Sequence, residues 1–235
     1  MRQRHHLIWP SDPGWQRLQE QVADARRRAT MAHWQSNNWP VVARRADADA
    51  ATDEICAGIA LPPDAQGNKP RIALRLRAGE VAVARAPILL QDVLAARLPG
   101  LPPAWPRAMA ELHAQASRAG IALSVFGSLA WQALTGQAYL RAGSDIDLLF
   151  QPASRRQLEQ GVRLLAYHAM FLPLDGEIVF PGEAAVSWKE WRQVAVLGGD
   201  PDGRVLQKAP DAVRLERVGA LMQSLPAQDE GRCAA

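Results

Sequence analysis

Apolar positions along this chain recur with two periods, one near 3.6 residues and one of two, and their order divides the sequence into unlike halves. Ser11, Asp12 and Pro13 supply a helix start, a capping side chain followed by a proline in the first turn. Trp15, Leu18, Val22 and Ala25 continue at helical spacing and predict one helix. Its far end carries Arg26, Arg27 and Arg28, where basic groups complement the helix dipole. Val41–Ala43 reads as a short strand, and residues 55–61 and 71–76 as two longer ones. The loop between the longer pair contains Pro62, Pro63, Gly67, Asn68 and Pro70. In the second of them Arg71, Ala73, Arg75 and Arg77 alternate with Ile72, Leu74 and Leu76, the pattern of an antiparallel strand with one wet face.

Proline and glycine crowd between Pro99 and Pro106, and the rhythm after them is different. A helix over 107–118 ends at Gly120, a strand over 121–126 runs into Gly127-Ser128, and a short helix follows from Leu129. A strand over 145–150 leads to a helix opened by Ser154 with Gln157 three residues on, a capping-box spacing. Leu158, Val162, Leu165 and Ala169 mark that helix's buried stripe. A strand over 174–180, another over 204–208 and a helix over 211–222 complete the pattern. The expected fold class is α+β, with a small N-terminal α+β domain over 1–100 and an α/β domain with a mixed sheet over 101–235. No internal repeat or low-complexity tract is visible.

Composition narrows the class. At 235 residues, 48% hydrophobic and 22% charged, the chain is an ordinary globular protein. Cys56 and Cys233 lie far apart and outside any Cys/His cluster, which supports neither a zinc site nor a disulfide framework. The five histidines have no metal spacing, and the eight tryptophans suit core and interface better than cofactor stacking. The start has no apolar core of a secretion signal and no stretch matches a membrane span, so a cytoplasmic protein that does not enter a membrane is expected. The net charge of +3 suits an anionic partner, but with 24 Arg and 3 Lys it equally fits a compositional bias. No aromatic-basic RNA platform is present, so no nucleic-acid partner is expected.

Two pieces of sequence carry chemistry. Val125-Phe126-Gly127-Ser128 is a strand that turns into a helix; glycine admits a close approach to the backbone, the helix N-terminus offers free N–H donors, and Ser128 adds a hydroxyl. By itself this is also an ordinary strand-to-helix turn. In Ser144-Asp145-Ile146-Asp147, residues two apart share a strand face, so Asp145 and Asp147 project together. Leu148, Leu149 and Phe150 follow, which places the carboxylates at the edge of a core, where they repel each other and lose hydration. A divalent cation relieves both costs, and magnesium suits carboxylate oxygens shared with water and phosphate. An isolated Asp-x-Asp is also simply a solvated pair at a strand start.

Taken together, the Gly-Ser turn, a helix and an Asp-x-Asp on the next strand resemble the polymerase-beta-like nucleotidyltransferase superfamily. That resemblance implies phosphate binding by Gly127 and Ser128, and metal binding by Asp145 and Asp147. Sixteen residues separate Ser128 from Asp145, a longer connection than many members have. The superfamily's third carboxylate, which helps hold the catalytic metal and takes the proton of the attacking hydroxyl, has two candidates, Asp175 and Glu177, two apart on one strand.

A narrower resemblance covers most of the chain. Val125-Phe126-Gly127-Ser128-Leu129-Ala130-Trp131-Gln132, Ser144 to Leu149, Leu174-Asp175-Gly176-Glu177-Ile178 and Ala185-Val186-Ser187-Trp188-Lys189-Glu190 are similar to the phosphoribosyl-dephospho-CoA transferases, the holo-acyl-carrier-protein synthases of malonate decarboxylase. His5-His6-Leu7-Ile8-Trp9 and Pro40 to Arg45 resemble that family's leader. The resemblance implies triphosphoribosyl-dephospho-CoA as donor, the acyl carrier subunit of malonate decarboxylase as acceptor, magnesium as cofactor, and diphosphate as leaving group. Arg141, Lys189 and Lys208 are the candidate cations for that diphosphate, unranked by sequence, and Lys189 between Trp188 and Glu190-Trp191 equally reads as cover for an apolar surface. The N-terminal domain is assigned to carrier or substrate binding, its Arg26 to Arg28, Arg44, Arg45, Arg71 and Arg75 facing an acidic carrier. Two rivals remain: a nucleotidyltransferase of the same fold with a different acceptor, and a binding module that has lost the chemistry.

Overall fold

The protein is described from a computed structural model over residues 3–227; Cys233 lies outside the described residues. Its contacts divide it into two units, one running to Pro87 and taking in Leu134–Tyr139, the other comprising Ile88–Ala133 and the chain from Leu140 onward.

In the first unit β1 (Leu7–Pro10) leads into α1 (Asp12–Glu20), which Ser11 caps by accepting from the Gly14 amide. The helix stops there, and α2 (Ala25–Ser36) starts afresh from Asp24, whose carboxylate accepts from the Arg27 amide at 2.9 Å. The single helix expected through Ala25 is therefore two, and Arg26, Arg27 and Arg28 open α2 instead of closing α1. The positive end of the helix opposes them. The Asp24 cap and the hydrogen bonds from Arg28 to the carbonyls of Val22 and Ala23, 2.5 and 2.8 Å, offset that repulsion.

Strands β2 (Val41–Ala43), β3 (Glu54–Ala60), β4 (Arg71–Arg77) and β5 (Val81–Arg85) complete an antiparallel sheet ordered β4-β3-β2-β1-β5. Ile72, Leu74 and Leu76 of β4 are buried while Arg71, Ala73 and Arg77 are exposed, as the alternation predicts. Neither β1 nor β5 is expected from the sequence; β1 is four residues long and β5 buries none of its own fully, so neither carries a period to read. Leu134–Tyr139 joins this unit through Tyr139, which is buried and donates to the Ala60 carbonyl at 2.8 Å. The long connection between Ser128 and Asp145 thus includes a structured segment of the other unit.

The second unit contains α3 (Leu90–Ala95), α4 (Trp105–Arg118), β6 (Leu123–Phe126), α5 (Gly127–Thr135), β7 (Ile146–Phe150), α6 (Arg155–His168) and β8 (Leu174–Phe180). It continues with β9 (Ala184–Ser187), α7 (Trp188–Trp191), β10 (Arg204–Lys208), β11 (Val213–Arg217) and α8 (Val218–Gln223). The six strands form one mixed sheet, β11-β10-β9-β8-β7-β6, in which only β7 and β8 run parallel. The helix expected over 211–222 is a strand followed by a short helix. Val213, Leu215 and Arg217 alternate with Arg214 and Glu216, and the segment pairs with β10 from Lys208↔Val213 to Arg204↔Arg217. Those ladder bonds satisfy the backbone as a helix would.

One face of this sheet is covered by α4 and α6. Met109, Leu112, Leu158, Val162 and Leu165 share a core with Ile146, Leu148, Phe150 and Ile178. A Cβ at Gly161 of α6 would lie 2.2 Å from the Phe150 ring, so the absence of a side chain there sets how closely helix and sheet approach. The Pro- and Gly-rich stretch from Pro99 to Pro106 joins α3 to α4 inside this unit, since Leu90 and Val93 share its core with Trp105 and Met109. Ser154 caps α6 through the Gln157 amide, and Gln157 accepts from the Ala153 amide in return. Among the described residues no helix is long and apolar enough to cross a membrane.

Candidate functional site

The face of the second sheet opposite α4 and α6 carries every carboxylate that the sequence singles out. Strand alternation separates the two faces. Ile146, Leu148 and Phe150 point into the core, whereas Asp145 is exposed and Asp147 half-buried. Asp145 lies one residue ahead of β7, not within it. The turn before it is closed by the Arg141 amide donating to Ser144 Oγ at 2.9 Å.

Register brings the neighbouring strands into line. Phe126 of β6 is opposite Asp147, and so, on the parallel side, is Asp175 of β8. Directly opposite positions share a face. Asp147 and Asp175 are therefore side by side, and Gly127, directly after β6, adjoins Asp147 from the other flank. Gly127 has φ of +67°, and a Cβ built on it would lie 2.0 Å from Asp147 Oδ2. The Asp147 carboxylate occupies the space a side chain would take. Helix α5 begins at that glycine, so Gly127 and the buried Ser128 stand at its N-terminus, where backbone donors and the helix dipole favour an anion.

Glu177 is differently placed. It is opposite Leu149 and Ser187, is only 5% exposed, and accepts a hydrogen bond from Lys208 Nζ at 2.8 Å. Asp175 keeps a side chain 42% exposed, with Lys189 Nζ 3.7 Å from Oδ1. That ammonium also lies 6.0 Å from the centroid of the Trp188 ring. Both tryptophans of Trp188-Lys189-Glu190-Trp191 are buried, and the Trp188 indole N–H has no partner. No group of three or more metal-ligating side chains converges among the described residues. The adjoining carboxylates Asp147 and Asp175, with Asp145 just ahead of β7, offer oxygen only, and a pair of carboxylates shared with substrate phosphates is what magnesium takes, so the chemistry of these donors fits that ion. The pairing of Glu177 with Lys208 is absent from the sequence reading, because it joins residues 31 apart through the register of three strands.

A mixed sheet that presents a Gly-Ser helix start and adjoining carboxylates on one face, in a chain with a separate antiparallel N-terminal unit, defines the class: a two-unit α+β enzyme arranged for group transfer. Residues 90–218 match the family described as phosphoribosyl-dephospho-CoA transferase MdcG C-terminal domain, and residues 3–87 match the corresponding N-terminal domain. The chain belongs to the phosphoribosyl-dephospho-CoA transferase family, and it is a transferase. A phosphoribosyl-dephospho-CoA transferase of Bradyrhizobium diazoefficiens is 36% identical over 190 residues, 80% of each chain. One of Xanthomonas campestris is 34% identical over 234 residues, 99% of each. One of Pseudomonas aeruginosa is 32% identical over 177 residues, 74% of this chain and 76% of its own. No solved structure matches the chain.

Proposed function

We propose that this enzyme transfers the phosphoribosyl-dephospho-CoA group from 2′-(5-triphosphoribosyl)-3′-dephospho-CoA to a serine of the acyl carrier subunit of malonate decarboxylase and releases diphosphate. The observation that carries the reading is the Asp147 carboxylate seated over Gly127 and beside Asp175, in a chain of this family. The site joins an anion-binding helix start to carboxylates that would hold cations against that anion.

In this reading Gly127 and Ser128 seat the triphosphate at the start of α5. Asp145 and Asp147 hold magnesium, which supplies charge neutralisation to the triphosphate when bound. Asp175 is the third carboxylate in preference to Glu177, because it lies opposite Asp147 and keeps an exposed side chain, whereas Glu177 is buried and engaged by Lys208. The carrier serine Oγ attacks the phosphorus attached to the ribose, its proton passes to the Asp175 carboxylate, the new Oγ–P bond forms and the bond to the diphosphate breaks. The product is a phosphodiester between carrier and prosthetic group. Positioning and electrostatics provide the rate, since the protein forms no covalent bond of its own. The first unit contributes a basic surface for an acidic carrier.

Intact mass spectrometry of the apo carrier subunit, after incubation with enzyme, donor and magnesium, tests this reading. The expected result is a mass gain equal to the phosphoribosyl-dephospho-CoA group, lost when Asp145→Ala and Asp147→Ala are combined. A folded wild-type enzyme that adds no mass sinks the assignment of donor and acceptor.

A further inference from the structure

The sheet face that carries Asp147 and Asp175 continues past them to a cation. Glu177 lies two residues beyond Asp175 on β8, about 7 Å along the strand. Its carboxylate is buried, and Lys208 of β10 reaches it at 2.8 Å by passing over β9. Ala185 is the register partner of both Val179 and Lys208, and its small side chain leaves that path open. A buried pair of this kind adds little to stability, because dehydrating a carboxylate costs about as much as the pairing returns. The Lys208 side chain is nonetheless 38% exposed and its ammonium gives Glu177 one of three donors. Among the described residues no other hydrogen bond or ion pair takes the remaining two.

Lys189 differs in a way that decides between them. Its ammonium is held beside Asp175, so a cation taken up by that carboxylate competes with it directly. Lys208 is anchored to a carboxylate that is buried where that of Asp175 is open to solvent. We infer that Lys208, fixed by Glu177, is the binding position for the distal phosphates of a linear polyphosphate whose other end lies at Asp147 and Asp175. Glu177 is then a positioning residue for that ammonium. The identity of the polyphosphate as the donor's triphosphate rests on the proposed function; the phosphate chemistry does not.

Calorimetric titration of the full-length protein with inorganic triphosphate, in magnesium buffer, reads this site without donor or carrier. Lys208→Ala is expected to weaken binding about tenfold or more, the worth of one lost charge-assisted hydrogen bond. Lys208→Arg should restore most of the affinity, and Glu177→Gln and Lys189→Ala should each cost less than Lys208→Ala. Because Lys208→Ala strands a buried carboxylate, a Lys208→Gln, Glu177→Gln double variant, which keeps two amides able to pair, is measured beside it and should lose affinity equally. Unchanged affinity in the double variant overturns the inference, as does a larger loss in Lys189→Ala or a wild-type protein that binds no triphosphate. The expected pattern with a carrier that gains no mass would remove the donor and acceptor assignment and leave the phosphate position standing.

Discussion

A methyl group at Gly127 would begin 2.0 Å from Asp147 Oδ2, on a backbone at φ +67°. Gly127→Ala therefore displaces the carboxylate and adds left-handed strain of about 1–2 kcal/mol. Displacements near 1 Å at reacting centres cost on the order of 100-fold in rate. We expect carrier modification to fall by about that factor while the melting temperature drops by only a few degrees; steady-state rates and a thermal melt measure both, and near-normal turnover would show that Asp147 needs no such seat. His168 provides a second residue-scale prediction. It ends α6, is 2% exposed, and its Nε2 has no partner, so burial holds its pKa below the ordinary imidazole value. The unfolded chain then binds a proton more readily than the folded one. Its contribution is complete above the unfolded pKa, about 6.5, and is lost as pH falls from there toward the lower folded value. The limiting slope is about 1.4 kcal/mol per pH unit. Urea midpoints between pH 5 and 8 should decline on the acid side, and His168→Leu should flatten that decline.

Strand β8 shows at the scale of the element why some of the fold is legible and some is not. Its boundaries, Leu174–Phe180, match the sequence expectation, as do those of β2, because each begins directly after a proline, Pro173 and Pro40, that marks where the strand starts. Helix α6 is legible from its Ser154 cap and from Leu158, Val162 and Leu165. The missed elements have no such signal: β9 is four residues of small and apolar side chains, and β11 exposes Val213 and Leu215 on one face and Arg214 on the other. The Gly-Ser turn and the two leading aspartates are legible because each is local. The side-by-side placement of Asp147 and Asp175 needed strand register, and so did the Glu177–Lys208 pair, which is why the choice between the two later carboxylates stayed open in sequence. Gly176, between those carboxylates, holds φ of +136° with a built Cβ only 1.9 Å from the Leu148 carbonyl oxygen. Gly176→Ala must push β8 away from β7, the one parallel pairing in the sheet. A loss of about 3 kcal/mol or more is expected from urea unfolding. A variant as stable as wild type would mean that the two strands separate without cost.

For the whole molecule the question is which charges of the first unit are available to a partner. Arg44 and Arg75 are not: Arg44 pairs with Asp47 at 2.5 Å, and Arg75 with Asp47 at 3.0 Å and Asp49 at 2.5 Å, tying the β2–β3 connection to β4. These contacts hold the Asp47 carboxyl well below the usual carboxylate range. Arg26, Arg27, Arg45 and Arg71 are exposed and take part in no ion pair among the described residues. If the carrier is drawn in by charge, those four act and the paired, partly exposed network only shapes the surface beside them. Reversing them together, as Arg26→Glu, Arg27→Glu, Arg45→Glu and Arg71→Glu, should lower kcat/KM for the carrier about tenfold at low ionic strength. The donor's KM should be unaffected, since none of the four lies on the sheet that carries Asp147. The difference from wild type should fade as salt approaches 1 M, where the screening length shrinks to about 3 Å. A deficit that persists at high salt would point to lost contacts instead of lost attraction, and equal rates at low salt would move the carrier's docking surface off this unit.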